Sequence, residues 1–483
     1  LFSCRIKNAK HCIWVAVCNA SMRLRTIRMA DEKVNGAPMY GCHKESVYFM
    51  FQKEIETMPR AQIEALQLNK LKAMVSYCYN KIPFYHKRLT ECGVLDGSKI
   101  RQLSDLQYIP FTTKDDIRDN YPFGMLAVPM KDIVRIHASS GTTGKPTVGV
   151  YTKQDIDIWS DCVARVAVAG GATEDDIIQI SFGYGLFTGA LGLHYGLEKI
   201  GATVIPASSG NTEKQLMMFR DFGVTGLVAT PSYALYLSEA VKDSGYPMSD
   251  YKLRLGILGS EPCTPEMRSQ IEQNLQIRVS DNYGLTEIGG PGVSGDCEYR
   301  CGMHFAEDHF IPEIINKDTG GVLGENEVGE LVVTTLSRQG MPVLRYRTKD
   351  ITKLTYEPCA CGRTHARMEK TMGRTDDMLI IKGVNVFPTQ IESVLLEMEA
   401  IGPHYQLIVR RANFKDNLEV KVELINGDLL VNFRELEALQ KKIHDRLKSV
   451  LGLETKVTLV EPKTLERFQG KAKRILDLRN AGN

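Results

Sequence analysis

The sequence predicts an α/β protein: a large N-terminal domain of parallel-rich sheets and helices, then a small α+β C-terminal domain. Three observations predict it. Over the middle of the chain, short apolar runs alternate with amphipathic segments, the pattern of parallel strands covered by helices. After Arg374 the pattern changes to strand, helix, strand, strand, helix, strand. The composition, 483 residues with 43% hydrophobic and 24% charged side chains, is that of a globular chain long enough for more than one core. It argues against disordered, collagen-like and membrane-embedded classes. The net charge of +2 gives no reason to expect a nucleic-acid partner.

The first 30 residues hold six bases (Arg5, Lys7, Lys10, Arg23, Arg25, Arg28) and no acid, leaving 54 bases against 58 acids in the rest. The apolar run Cys12–Cys18 is at about the lower limit of a signal-peptide core and far short of a membrane span. Residues 1–46 read as a non-native or disordered extension, with Met22, Met29, Met39 and Met50 as later starts; a targeting sequence is the lesser alternative. Ile55, Ile63, Leu66, Leu71 and Met74 then predict a helix over Glu54–Cys78, closed by Pro83. Buried strands are expected at Asp176–Ser181, Thr203–Pro206, Gly223–Ala229, Leu253–Leu258 and Gln276–Val279, with helices at Thr212–Phe222 and Pro265–Leu275. In the small domain, 375–483, the expected pieces are Met378–Ile381, Gln390–Glu399, Tyr405–Arg410, Leu418–Leu424, Phe433–Val450 and Lys456–Val460. The large domain is 47–374. There is no apolar stretch of about 18 residues, so no membrane partner is expected.

The sharpest motif is Ser139, Ser140, Gly141, Thr142, Thr143, Gly144, Lys145 and Pro146, set between the apolar segments Ile133–Ile136 and Thr147–Tyr151. Glycines let the backbone close round an anion, hydroxyls donate to it and Lys145 adds charge, which is polyphosphate chemistry. It is not the common NTPase P-loop, which needs four residues between its glycines and Ser or Thr after Lys. Asn282, Tyr283, Gly284, Leu285, Thr286 and Glu287 follow the last predicted strand, and supply an aromatic face, a hydroxyl and a carboxylate suited to Mg²⁺. Further along are Tyr346–Asp350, Gly373–Asp377 and the cationic Gly470–Arg474. Taken singly, these are turns and surface charges.

In this order and spacing they resemble the adenylate-forming (acyl-coenzyme A synthetase) superfamily, and within it the branch that activates arylacetates; Glu307-Asp308-His309 and Cys359–His365 carry the latter likeness. The resemblance runs from about Glu54 to Arg479. It implies an enzyme that joins an aryl acid, phenylacetate first, to coenzyme A through an acyl-adenylate, with ATP, Mg²⁺ and coenzyme A as required molecules. It also implies an adenylate-forming large domain and a mobile small one. By the family pattern, Ser139–Lys145 hold the β- and γ-phosphates, Tyr283 stacks on adenine, and Gly259, Ser260 and Glu261 line the adenine edge. Thr286 touches the α-phosphate, Glu287 holds Mg²⁺, Asp350 binds the ribose, Arg374 reaches the nucleotide and Asp376 is the hinge. Lys471 bridges carboxylate and α-phosphate. The acid pocket is expected at Phe182, Tyr184, Gly185 and Phe187, with Thr230–Ser232 on another wall. Other aromatic acids (indoleacetate, hydroxyphenylacetate, benzoate) or acyl delivery to a protein partner are the alternatives.

Cys297, Cys301 and His304, with Cys359, Cys361 and His365, offer six candidates for a four-coordinate structural zinc site. The family pattern favours Cys297, His304, Cys359 and Cys361, with Cys301 or His365 as substitutes. Cysteines without pairing logic, together with ATP and coenzyme A as substrates, fit a reducing cytoplasm. A homodimer is allowed for.

Overall fold

The computed structural model of the chain describes residues 50–139, 146–382, 384–412, 415–468 and 472–479. The expected extension at 1–46 lies outside the described residues. The first long element is α1 (Arg60–Lys81), which buries Ile63, Leu71, Met74, Val75 and Cys78 along one stripe. The sequence pattern had merged with it a short turn of helix at Lys53–Glu56; Pro59, at the head of α1, separates the two.

Strands β1 (Ile133–Ala138) and β2 (Val148–Thr152) form an antiparallel pair flanking the Ser/Thr/Gly loop. The parallel part of the fold is β3 (Ile177–Ile180), β4 (Thr203–Ile205), β5 (Gly226–Ala229), β6 (Leu255–Gly259) and β7 (Arg278–Leu285). They pair in the order β4-β3-β5-β6-β7, as the alternation predicted. Helices α2 (Lys153–Ala169), α3 (Thr188–Lys199), α4 (Pro231–Asp243) and α5 (Pro265–Leu275) connect or cover them. Thr152, Thr230 and Thr264 cap α2, α4 and α5 by accepting from backbone N–H groups, and a proline follows in the last two.

Beyond β7 the sheet turns antiparallel through β8 (Gly290–Asp296), β9 (Met303–Phe305), β14 (Arg367–Met368) and β13 (Leu354–Thr355), giving nine strands among the described residues. A second, wholly antiparallel sheet runs β10 (Phe310–Ile315), β11 (Gly329–Thr335), β12 (Tyr346–Thr352) and β15 (Gly373–Arg374). Strand β7 extends to Leu285, so Asn282–Leu285 lies on the strand rather than after it. A seam of glycines brings α2, α3 and β8 together. A Cβ at Gly192 or Gly290 would collide with the Trp159 indole, and one at Gly196 with Val163.

The C-terminal part has its own core, drawn from residues between Leu379 and Val457, with Ile475 packed against it. Strands β16 (Leu379–Ile381) and β17 (Val384–Val386) form a hairpin. Helices α6 (Pro388–Leu396) and α7 (Phe433–Leu451) accompany a sheet ordered β20 (Lys456–Val460), β19 (Lys415–Leu424), β18 (Ile401–Ala412), β21 (Ile475–Asp477). No helix among the described residues is long and apolar enough to cross a membrane.

Candidate active site and metal centre

The phosphate-type loop departs from β1 and returns into β2. Ser140, Gly141, Thr142, Thr143, Gly144 and Lys145 lie outside the described residues, but the stem is defined. Ser139 donates its backbone N–H to the Thr147 carbonyl at 2.9 Å. The Thr147 hydroxyl donates to Glu287 Oε1 at 2.8 Å and lies 2.9 Å from Ser139 Oγ. The loop base and the carboxylate expected to hold Mg²⁺ are therefore joined, at an oxygen-rich point that suits a hard cation. Thr286, next in the chain, puts its hydroxyl 3.1 Å from that of Thr188 at the start of α3. Two cations that sequence reading missed stand here. Lys114 Nζ is 4.0 Å from Glu287 Oε1. Arg338 donates to the Glu287 carbonyl at 2.6 Å. Neither sits in a recognisable motif, so only tertiary pairing reveals them.

The wall where the nucleotide is expected is built by β6, β7, β12 and β15. Gly259 ends β6 where a Cβ would collide with the Asn282 carbonyl, and Gly284 sits closer still to the Gly290 carbonyl. Ser260 follows with φ of +72°. Glu261 turns its carboxylate to Ser232, accepting from its N–H at 2.6 Å and from its hydroxyl. Asn282 Oδ1 accepts from the Gly292 N–H at 2.9 Å, fixing β7 to β8. The half-buried Tyr283 donates its hydroxyl to Asp350 Oδ2 at 2.6 Å. Burial, and then the Asp350 charge, push the Tyr283 phenol well above its usual range, so it stays a donor. Asp350 is the register partner of Arg374, whose Nη1 reaches Asp350 Oδ1 at 2.9 Å. Arg374 also donates to both oxygens of Asp376, at 2.8 and 2.9 Å. Tyr283, Asp350, Arg374 and Asp376 thus form one relay running to the start of the small domain.

The expected acid-pocket residues divide. Phe182 is buried with Trp159 and Ile180, while Phe187 is 39% exposed at the head of α3 and Gly185 faces open space. Tyr184 places its hydroxyl 3.1 Å from His194 Nδ1. Sequence reading missed a cleft of about 420 Å³ whose lining includes Tyr151, Trp159, Ile288, Pro291, Phe310 and Arg338. Tyr151 stacks on Trp159 at 4.8 Å, and its buried hydroxyl has no hydrogen-bond partner among the described residues.

Cys297, His304, Cys359 and Cys361 converge from the end of β8, from β9 and from the loop between β13 and β14. Their ligand atoms all lie within 4.8 Å of one another and all four residues are buried. Cys361 Sγ is 3.4 Å from His304 Nε2, and Cys297 Sγ is 3.7 Å from Cys359 Sγ. The Cys297 thiol hydrogen-bonds Cys361, which raises its own pKa and lowers that of Cys361 towards thiolate. His304 Nδ1 is buried without a hydrogen-bond partner among the described residues. Three soft thiols and an imidazole in this spacing fit a tetrahedral zinc ion. Of the substitutes, Cys301 is exposed, although its sulfur is 3.4 Å from Cys359 Sγ. His365 has both ring nitrogens against the carbonyls of Phe305 and Ile55, at 2.8 and 3.0 Å.

Lys471 lies outside the described residues. Its neighbour Ala472 brings that end of the small domain to the nucleotide wall, its N–H donating to Glu261 Oε2 at 3.3 Å.

A nucleotide wall closed by a second domain that carries cations is the architecture of enzymes that activate acids with ATP. Residues 78–337 match the family model of AMP-binding enzymes, and residues 383–479 match that of the AMP-binding enzyme C-terminal domain. A phenylacetate–coenzyme A ligase of Thermus thermophilus is 48% identical over 89% of this chain and 100% of its own length. Those of Escherichia coli and Pseudomonas putida are 47% and 45% identical, each over 88% of this chain and 97% of their own. The chain belongs to the phenylacetate–coenzyme A ligase family of adenylate-forming AMP-binding enzymes. It is an enzyme that joins an acid to coenzyme A at the expense of ATP, through an acyl-adenylate. The solved 2-hydroxyisobutyryl-CoA ligase in its postadenylation state superposes with a TM-score of 0.84 at 26% identity, covering 93% of this chain and 96% of that one. The same ligase in its thioesterification state, with coenzyme A, gives 0.66 at 26% identity, over 89% and 92%. The two domains here are therefore arranged as in the postadenylation form.

Proposed function

We propose that this enzyme ligates phenylacetate to coenzyme A in a reducing cytoplasm, using Mg²⁺, and that Cys297, His304, Cys359 and Cys361 hold a structural zinc ion. The observation that carries the reading is the meeting of Tyr283 on β7, with Thr286 and Glu287 in the turn that follows it, and Asp350 on β12 of the second sheet, in a chain 45–48% identical to phenylacetate ligases. In the first step a carboxylate oxygen attacks the α-phosphorus of ATP and the bond to pyrophosphate breaks. Two anions must approach, so the chain supplies cations and donors rather than a nucleophile. Ser139, Ser140, Gly141, Thr142, Thr143, Gly144 and Lys145 hold the β- and γ-phosphates, and Thr286 donates to the α-phosphate. Tyr283 stacks on adenine beside Gly259, Ser260, Asn282 and Gly284, while Asp350 accepts from the ribose hydroxyls and Arg374 orients Asp350. Glu287 would hold Mg²⁺, whose charge offsets that of the phosphates. Lys471 spans carboxylate and α-phosphate. In the second step the coenzyme A thiolate attacks the acyl carbon, the bond to AMP breaks, and the thioester leaves. Phe182, Tyr184, Gly185 and Phe187 border the acid, Asp376 is the hinge, and Cys297, His304, Cys359 and Cys361 would hold a zinc ion that would tie β8 and β9 to the loop between β13 and β14.

The test is release of AMP and pyrophosphate over a panel of aryl acids, with and without coenzyme A. The expected result is coenzyme A-dependent turnover with the highest kcat/KM for phenylacetate. A higher value for benzoate or indoleacetate overturns the substrate, and turnover independent of coenzyme A points to a protein acceptor. The unpartnered Tyr151 hydroxyl is the observation that puts hydroxyphenylacetate in the panel.

A further inference from the structure

The turn between β8 and β9 carries two cysteines, and only one of them belongs to the four-ligand set. A tetrahedral ion takes four ligands, and the buried Cys297, His304, Cys359 and Cys361 supply them, so Cys301 is a fifth donor left over. Its sulfur nevertheless lies 3.4 Å from Cys359 Sγ, nearer than the 3.7 Å between the Cys297 and Cys359 sulfurs. The turn is built to hold it there. Arg300 donates its N–H to the Cys297 carbonyl at 3.0 Å and has φ of +54°, and Gly302 follows with φ of +106°. The Arg367 guanidinium, from β14, donates to the Cys301 carbonyl, and Arg300 pairs with Glu272 of α5 at 2.5 Å. Cys301 is also the one exposed cysteine among the described residues; Cys78, Cys162 and Cys263 are buried and Cys92 is half-buried. A sulfur open to solvent therefore touches a sulfur that is not.

We infer that Cys301 is an oxidation site that empties the zinc centre: hydrogen peroxide joins Cys301 to Cys359 in a disulfide, and the ion is lost with that ligand. This rests on the proposed zinc site. In the first step the Cys301 sulfur attacks one oxygen of the peroxide, the O–O bond breaks, and a sulfenic acid forms with release of one water. The Cys359 sulfur, a thiolate while it ligates zinc, then attacks the Cys301 sulfur. The S–S bond forms, the S–O bond breaks, and the departing hydroxide takes a proton from solvent to become a second water. Two electrons pass from the two sulfurs to the peroxide. Because the sulfurs are already in contact, the second step is intramolecular and outruns further oxidation of the sulfenic acid. Zinc is left with Cys297, His304 and Cys361, one short of a closed structural site. A thiol reductant returns the disulfide to two thiols, so the change is reversible.

The experiment treats the zinc-loaded full-length enzyme with hydrogen peroxide, beside Cys301→Ser and Cys92→Ser. Zinc release is read with a chromogenic chelator, and disulfides are located by peptide mass before and after reduction. The parent is expected to release zinc one for one with a disulfide between Cys301 and Cys359, and reductant with added zinc reverses both. Cys301→Ser should release zinc about tenfold or more slowly, since the exposed sulfur is gone and the ligands are buried. Cys92→Ser should follow the parent. Untreated Cys301→Ser is expected to hold one zinc per chain, which reports that it is folded; a zinc-free variant would make Cys301 a ligand and overturn the inference. Release from Cys301→Ser at the parent rate, or release with a different disulfide, also overturns it and leaves the zinc site standing. So does oxidation of Cys301 to a sulfinic or sulfonic acid with the zinc retained. If the untreated parent holds no zinc, the reading beneath the inference has failed, and the inference with it.

Discussion

At the scale of the residue, the proposed nucleotide wall turns on Asp350. It accepts from Tyr283 at one oxygen and from Arg374 at the other, so removing its charge releases both partners at once. Asp350→Asn is expected to raise the KM for ATP about tenfold or more, with a smaller effect on kcat, because a charge-assisted acceptor for the ribose and the orientation of Tyr283 are lost together. An ATP titration at saturating acid checks it; an unchanged KM removes Asp350 from the nucleotide site. Residue types at this wall were legible in the sequence because Tyr283, Glu287, Asp350 and Arg374 sit in dense motifs. Lys114 and Arg338 were not, since a lone basic residue carries no signal until folding brings it beside Glu287.

At the scale of the element, apolar runs disclosed β3 to β7, because buried parallel strands are continuous hydrophobic segments. The strands from β8 to β15 escaped. Gly290–Asp296 is rich in glycine, and its place is dictated by the Trp159 and Val163 side chains of α2 rather than by strand propensity. The starts of β3, β5 and β6 meet at Asp176, which accepts from Thr225 Oγ1 at 2.6 Å, from the Thr173 N–H at 2.8 Å and from Arg254 Nε at 2.9 Å. Burial opposes its ionisation, yet these donors outweigh burial and hold its pKa below the usual carboxylate value. Its folded pKa is therefore depressed. The stability it contributes is present above the unfolded value near 3.9 and is lost as pH falls through the folded one. Asp176→Asn should cost roughly 1–3 kcal/mol at neutral pH and flatten the acid limb of the stability curve, measured by denaturant unfolding. The thiol–imidazole cluster joins elements in the same way. Elemental analysis should find one zinc per chain, and Cys361→Ser should lose it and lower Tm by roughly 5–10 °C. A metal-free parent with unchanged Tm would refute the zinc site.

At the scale of the whole molecule, the small domain has a core of its own, and its Leu396 packs against one of the large-domain cores, so repositioning one domain on the other would disturb little apolar packing. Lys471→Ala should abolish adenylation and spare thioester formation from supplied acyl-adenylate; equal loss of both would sink its assignment. The change of pattern at Arg374 set where the boundary between the domains was expected. Their mutual contacts, such as Ala472 to Glu261, were not legible, because a hydrogen bond from a backbone amide leaves no trace in side-chain type.

The edge of the nine-stranded sheet is completed late. Strand β9 (303–305) pairs with β14 (367–368), and Cys297 and His304 meet Cys359 and Cys361 only across that gap. During synthesis the large domain therefore has an open strand edge and an incomplete set of sulfur ligands until about residue 370 has left the ribosome. An exposed edge of this kind invites pairing with other chains. Truncations ending before residue 359 should accordingly aggregate on expression, whereas those ending just after 374 should yield a dispersed large domain.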